Sequence, residues 1–135
     1  MSSDLDTIKR KEVEAKLALA KEYLAIAEKL SDEESIIRGV VDTGYNSVEL
    51  CAKGLILLKE DTLPTRHSGV VQKFSEFYIK TGNLPVEIIE KMQKALRFRN
   101  FARYEAETPI SKSWGQEITA LAKEMIAALE KIIQK

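Results

Sequence analysis

The sequence predicts an all-α protein, an up-and-down helical bundle of four to five helices, and three observations carry that prediction. Apolar residues recur at three- and four-residue spacings along most of the chain, the period of helical faces packed on a core. No segment alternates apolar and polar residues as a half-buried strand would. Short Gly-, Pro- and Ser-bearing stretches separate the periodic segments, so consecutive helices should pack antiparallel.

Leu5 to Leu30 reads as one long amphipathic helix with Val13, Leu17, Ala20, Leu24 and Ala27 on a single face. Ser31-Asp-Glu-Glu34 has the pattern of a capping box, in which Ser31 and Glu34 satisfy each other's backbone N–H groups. A second helix then runs to about Leu58, with a stripe of Ile37, Val40, Val41, Gly44, Val48, Cys51, Ala52 and Leu55. Gly44 and Ala52 keep that stripe thin, which suits close approach of a neighbour. Asp61 to Arg66 is a loop containing Pro64, and a third helix follows with Val70, Val71, Phe74, Phe77 and Tyr78 as its apolar side. Thr81-Gly82-Asn83 ends it, glycine supplying the left-handed residue. Pro85 is placed in the first turn of a fourth helix, which ends before Thr108-Pro109. Ser111 or Ser113 caps a fifth helix, Ser113 with Gln116 forming another capping box. Its stripe is Ile118, Leu121, Ala122, Met125, Leu129, Ile132 and Ile133.

At 135 residues the chain (1–135) is expected to form one domain, large enough to bury a core without metals or disulfides. Lysine plus arginine and aspartate plus glutamate both number 21, so no global field draws it to nucleic acid, and polyanion binding would need a local patch. Cys51 is the single cysteine and His67 the single histidine, so neither a disulfide nor a His/Cys zinc site is expected, and no cofactor. The opening Met-Ser-Ser-Asp-Leu-Asp-Thr lacks a basic region followed by an apolar run, and Leu55-Ile-Leu-Leu58 is far too short to span a bilayer. These features lead us to expect a soluble cytoplasmic protein without a membrane partner. Nothing resembles a nucleotide P-loop, a paired carboxylate site or a nucleophile triad.

The most informative segment is Arg97-Phe-Arg-Asn-Phe-Ala-Arg-Tyr104, where arginines stand in line with core residues. Met92, Leu96, Arg99 and Arg103 fall within about 60° on a helical wheel. A guanidinium there cannot shed its charge. It needs an acidic partner, a water-filled cleft or an anionic ligand, unless both arginines snorkel from the rim to water. Helix two offers a candidate partner on a second face, where Tyr45, Glu49 and Ile56 lie within about 40° of each other. Such a helix is either the central element of the bundle or a dimer-forming one. Glu49 and Lys53 form a favourable i,i+4 pair; Glu49 could also reach across the bundle to Arg99. His67, at the mouth of helix three, serves the local cap or faces water. Alternatively, Arg66 and His67 join free backbone N–H groups to bind an anion. Cys51 reads as an inert packing residue, and Trp114 as a cover for one end of the core.

Four segments resemble the HEPN domain family of small prokaryotic helical proteins. They are Tyr45-Asn-Ser-Val-Glu-Leu-Cys-Ala-Lys53 with Gly54-Leu-Ile-Leu-Leu58, Thr65-Arg-His-Ser-Gly69, Lys80-Thr-Gly82, and Arg99-Asn-Phe-Ala-Arg-Tyr104. The resemblance implies a homodimer whose late helix-four segments face a shared cleft. It also implies either a metal-independent RNase toxin paired with a small nucleotidyltransferase antitoxin or a relative of one. Family RNases use an arginine, a following polar residue and a histidine four to six residues further along. Arg99 and Asn100 match the first two elements, but the position five after Arg99 is Tyr104, as in a branch of the family with an Ala-x-Tyr ending. A tyrosine titrating near pH 10 carries protons poorly at neutral pH. On a straight helix Tyr104 also points about 140° from Arg99, so the two converge only through long side chains or across a dimer. The expected function is therefore nucleotide or RNA binding by Arg99, Asn100, Arg103 and Tyr104, with Glu49, Lys53, Arg66 and His67 nearby, and without efficient RNase activity. The alternatives are an RNase in which His67 or Tyr104 replaces the missing histidine, and a non-catalytic protein-interaction module.

Overall fold

Helix two is the hub. A computed structural model describes residues 3–134, and side chains from 6 to 134. Its elements are α1 (Ser3–Leu30), a 3-10 turn (Glu34–Ile36), α2 (Ile37–Leu57), α3 (His67–Phe74) continuing as a π turn (Ser75–Ile79), α4 (Val86–Tyr104) and α5 (Lys112–Ile133). Among the described residues there is no strand. The Leu5 side chain lies outside the described part, although α1 runs through its position.

Central placement of α2 follows from its having two apolar faces. It packs against α1, α5, α4 and α3, and the expected stripe from Ile37 to Leu55 is buried. Tyr45, Glu49 and Ile56 on the second face are also buried inside the chain. Of the two readings of that face, the central-element one holds. A second copy of the chain would have to sit elsewhere.

Close helix contact depends on small residues. Val13, Ala20 and Ala27, spaced by seven, are fully buried on α1, and the Ser47 hydroxyl donates to the Ala20 carbonyl at 2.7 Å. On α2, a Cβ at Gly44 would sit 2.6 Å from Cγ2 of Ile118 on α5. That methyl belongs to a stiff β-branched side chain, so Gly44 sets how near α5 can come. Gly82 has φ +80°, as expected of the residue that ends the third helical segment.

Two helix starts depart from the sequence reading, at Ser31–Glu34 and at Pro85. The Ser31–Glu34 capping box does not form: Ser31 Oγ donates to the Glu28 carbonyl, and α2 begins after a 3-10 turn without a side-chain cap. Ser31 closes the end of α1 instead. Pro85 is the N-cap of α4, with extended ψ of 146°, one position before the helix proper. The fourth helix stops at Tyr104, before Thr108-Pro109 as expected, and the Arg38 guanidinium donates to the carbonyls of Ala106 and Thr108 beyond its end. Ser111 caps α5 by accepting from the Ser113 N–H, and the Ser113–Gln116 box is not used. The π turn after α3 was not expected either; Lys80 N–H bonds the Ser75 carbonyl five residues back at 2.9 Å. No helix among the described residues is long and apolar enough to cross a membrane.

Candidate functional site

Late α4 carries its arginines into the seam with α2. Ile88, Ile89, Met92, Ala95 and Ala102 hold the helix on the core, and this packing leaves Arg99 only 5% exposed. Arg103, one turn on, is half exposed. Both direct Nε at a single carboxylate oxygen, Asp42 Oδ1, at 3.8 Å for Arg99 and 3.6 Å for Arg103. The expected acidic partner, Glu49, is not the one used. Asp42 lies seven residues earlier on the same face of α2, and the way α4 crosses α2 brings Arg99 to that turn. Two positive groups share one anion, and neither contact is short enough for a hydrogen bond. Asp42 Oδ1, Arg99 Nε and the Tyr45 hydroxyl are all buried and lack hydrogen-bond partners. Three unsatisfied polar atoms around one guanidinium are costly in a packed interior.

Arg99 reaches along its own helix as well. Its Nη1 donates to Asn100 Oδ1 at 3.0 Å, and its guanidinium carbon lies 5.8 Å from the centre of the Tyr104 ring. The long side chain therefore closes the angular gap between Arg99 and Tyr104 within a single chain. Tyr104 itself is 69% exposed. Around it, Arg97, Asn100, Phe101, Tyr104 and Glu105 line an open depression of about 370 Å³.

The second half of the site is built from α2 and the start of α3. Glu49, itself buried, holds His67 Nδ1 through Oε1 at 2.5 Å and Lys53 through Oε2 at 3.7 Å. A carboxylate on Nδ1 favours the proton there and leaves Nε2 with the free lone pair. His67 is thus turned onto Glu49, while Arg66 is exposed at the N-cap of α3 with no side-chain cap bond. Tyr45 joins the two halves. Its ring meets His67 edge-on with centroids 6.0 Å apart. Its phenol is held protonated by burial first and by the Glu49 charge second, with Arg99 pulling the other way. An ordinary phenol so placed is a hydrogen-bond donor awaiting an acceptor.

Sequence reasoning missed two residues here. Asp42 had a visible signal, its position in the heptad before Glu49. Arg38 had none: its guanidinium donates to the carbonyls of Phe101 and Ala102 at 3.2 and 3.0 Å, to Ala106 at 3.1 Å, and to Thr108. A cation at the C-terminus of α4 satisfies orphan carbonyls and complements the helix dipole, and it fixes the turn that presents Arg103 and Tyr104.

The remaining candidates are structural. Cys51 is buried, its thiol pushed up to about 12 by burial and then by Glu130, which makes it inert. Trp114 stacks on Phe98 with centroids 4.2 Å apart and lies 6.0 Å from Phe101, covering the α4–α5 end of the core. A small depression of about 150 Å³ on the α5 side of α4 is bridged by Lys91–Glu124 and Lys94–Glu117 and contains none of the candidate residues. Among the described residues no group of three or more His, Cys, Asp or Glu side chains could hold a metal ion.

An all-helical bundle with a buried arginine late in α4, its Asn neighbour, and a Glu–His contact between α2 and α3 defines a recognisable class. Residues 13–132 match the HEPN domain model, and the chain belongs to that family. Among its relatives are two proteins of Methanocaldococcus jannaschii. "Putative toxin MJ0142" is 35% identical over 103 residues, covering 76% of this chain and 69% of the relative. "Putative toxin MJ0605" is 28% identical over 100 residues, covering 74% and 73% respectively.

Proposed function

We propose that this protein is a homodimeric HEPN protein that binds a nucleotide or RNA phosphate at the α2–α4 seam, without efficient RNase activity. The carrying observation is the buried Arg99, whose Nε lacks an acceptor while Asp42 and the Tyr45 hydroxyl stand unsatisfied beside it. A phosphate oxygen reaching the seam would give Arg99 a charge-assisted partner and would also accept from Tyr45. Asn100 and Arg103 would hold the same anion from the α4 side, and exposed Tyr104 would stack on a base. None of these groups readily takes a proton from a 2′-hydroxyl at neutral pH. The names of the relatives support a toxin role, and with it a partner antitoxin. The family resemblance makes a small nucleotidyltransferase the partner to test first.

One specific observation favours a second reading, an active metal-independent RNase. Glu49 and His67 form a carboxylate–histidine pair with Nε2 free and the side chain 41% exposed, an arrangement suited to a general base. The two readings separate in one assay. Purified protein is incubated with single-stranded RNA in EDTA, beside Arg99→Ala, His67→Ala and Tyr104→His. We expect RNA to be retained but not cleaved by the wild type, binding to fall at least tenfold in Arg99→Ala, and cleavage to emerge only in Tyr104→His. Strong wild-type cleavage that disappears in His67→Ala would make His67 the base and establish the second reading. If no variant binds or cleaves RNA, the domain is a protein-interaction module.

A further inference from the structure

A groove between α3 and α4 adjoins the seam and has the chemistry of a backbone track. It measures about 370 Å³ and shares Arg97 and Asn100 with the depression around Tyr104. Its polar lining includes Lys80, Arg97, Gln72 and Gln93, and no carboxylate lines it. In a chain whose charges balance at 21 of each sign, a groove free of acid is a local positive field. Neither Lys80 nor Arg97 has an ion-pair partner among the described residues. On the α3 side, Glu76 is paired with Lys73 at 3.9 Å. The π turn after α3 builds the far wall: its Ser75–Lys80 backbone bond brings Ser75 and Lys80 into the same groove. Val71 and Ile89 form an apolar floor, against which bases could lie.

We propose that this groove carries the continuation of a single-stranded RNA whose one phosphate occupies the Arg99 seam, so that the protein reads a short strand and not an isolated nucleotide. The proposal rests on the seam reading above and deepens it by naming the substrate class. Three features fit one occupant. The free cations Lys80 and Arg97 take phosphates, amides of Gln72 and Gln93 offer paired donors and acceptors to base edges or 2′-hydroxyls, and exposed Phe101 and Tyr104 offer stacking faces at the seam end. From Ile89 to Tyr104 α4 rises about 22 Å, enough to run beside several nucleotides. A folded duplex is too broad for such a channel, whereas a single strand has flexible backbone and open base faces.

The test uses the whole protein and fluorescent oligouridylates of one, two, four and six nucleotides, titrated at several salt concentrations. Affinity of the wild type should climb with length. Lys80→Gln should weaken hexamer binding on the order of fivefold and reduce the slope of log affinity against log salt by about 0.7, the value for one phosphate contact on a single strand. Uridine monophosphate binding should not change in that variant. Gln93→Glu, which introduces an acid into the groove, should weaken the hexamer at least as much. Both side chains are exposed, so neither substitution threatens the fold. Wild-type hexamer affinity in both variants would overturn the groove, and loss in Arg99→Ala alone would then leave the seam reading standing. Sensitivity to Lys80 and Gln93 with none to Arg99 would keep the groove and discard the seam. A wild type that binds no oligonucleotide discards both.

Discussion

At the scale of single residues, the seam is defined by polar atoms that the core holds without satisfying. Arg99 is nearly fully buried while its carboxylate partner, Asp42, keeps some contact with water. Arg99→Ala should therefore lower stability by about 2 kcal/mol, less than the ~3–5 kcal/mol of breaking a fully buried pair. Asp42→Asn added to Arg99→Met should recover part of it, since no unpaired charge is then left; urea titration of the single and double variants checks both. Alkaline pH probes the neutral buried groups. Burial pushes the Tyr78 phenol from 10 up to about 12 and the Cys51 thiol from 9 up to about 12, and raises Tyr45 too. The folded state thus holds these protons more tightly than the unfolded chain. Their contribution is complete below pH 9 and is lost as pH rises between about 9 and 12. Urea midpoints should fall steadily from pH 8.5 to 11, and less steeply in Tyr78→Phe. A flat profile would mean that these groups titrate as they do in the unfolded chain.

At the scale of helices, what could be read from the sequence was face, and what could not was register. Period alone placed the stripes of α2 and α5, and the thin point at Gly44 was visible as a glycine on a core face. Its consequence is testable: Gly44→Ala puts a methyl 2.6 Å from Ile118 and should cost about 1–3 kcal/mol despite alanine's better helix propensity. Ile118→Val, which leaves the Cγ2 position filled, should not rescue it; Ile118→Ala should do so in part. Stability equal to wild type in Gly44→Ala would show that α5 moves away freely. The buried arginine was legible in the same way, because Arg99 extends the stripe of Met92 and Leu96. Its partner was not, because Asp42 and Glu49 lie on one face of α2 two turns apart, and only the crossing of α4 over α2 chooses between them. Arg38 was hidden for a different reason. It bonds backbone carbonyls, which every residue carries, so no partner residue type marks the contact. The π turn inserts an extra residue into a helix without glycine or proline to announce it, and at Ser31 the hydroxyl bonds back to the Glu28 carbonyl in place of the expected capping box.

At the scale of the whole molecule, the distribution of the charges matters more than their sum. Ion pairs such as Lys21–Glu130, Lys91–Glu124 and Lys123–Glu28 tie helices together on the outside, leaving the α3–α4 face and the end of α4 as surfaces with free cations and aromatic rings. That distribution bears on the proposed dimer. The second face of α2 is consumed inside the protomer, so a partner copy must use another surface, and the end of α4 offers one: Phe101 and Tyr104 are both exposed there, beside Arg97 and Asn100. Two such ends meeting about a twofold axis would place two Arg99 seams on one cleft, the isologous arrangement that a C2 dimer requires. We expect sedimentation at micromolar concentration to give twice the 15.2 kDa of one chain. Tyr104→Asp, which sets a charge into that contact, should return the protein to monomer with its helical circular-dichroism signal unchanged, and should lower the urea midpoint only by the stabilisation that association supplied. A wild type that sediments as a monomer throughout would end the shared-cleft arrangement, and Arg99, Asn100 and Tyr104 would then have to hold their phosphate within a single protomer.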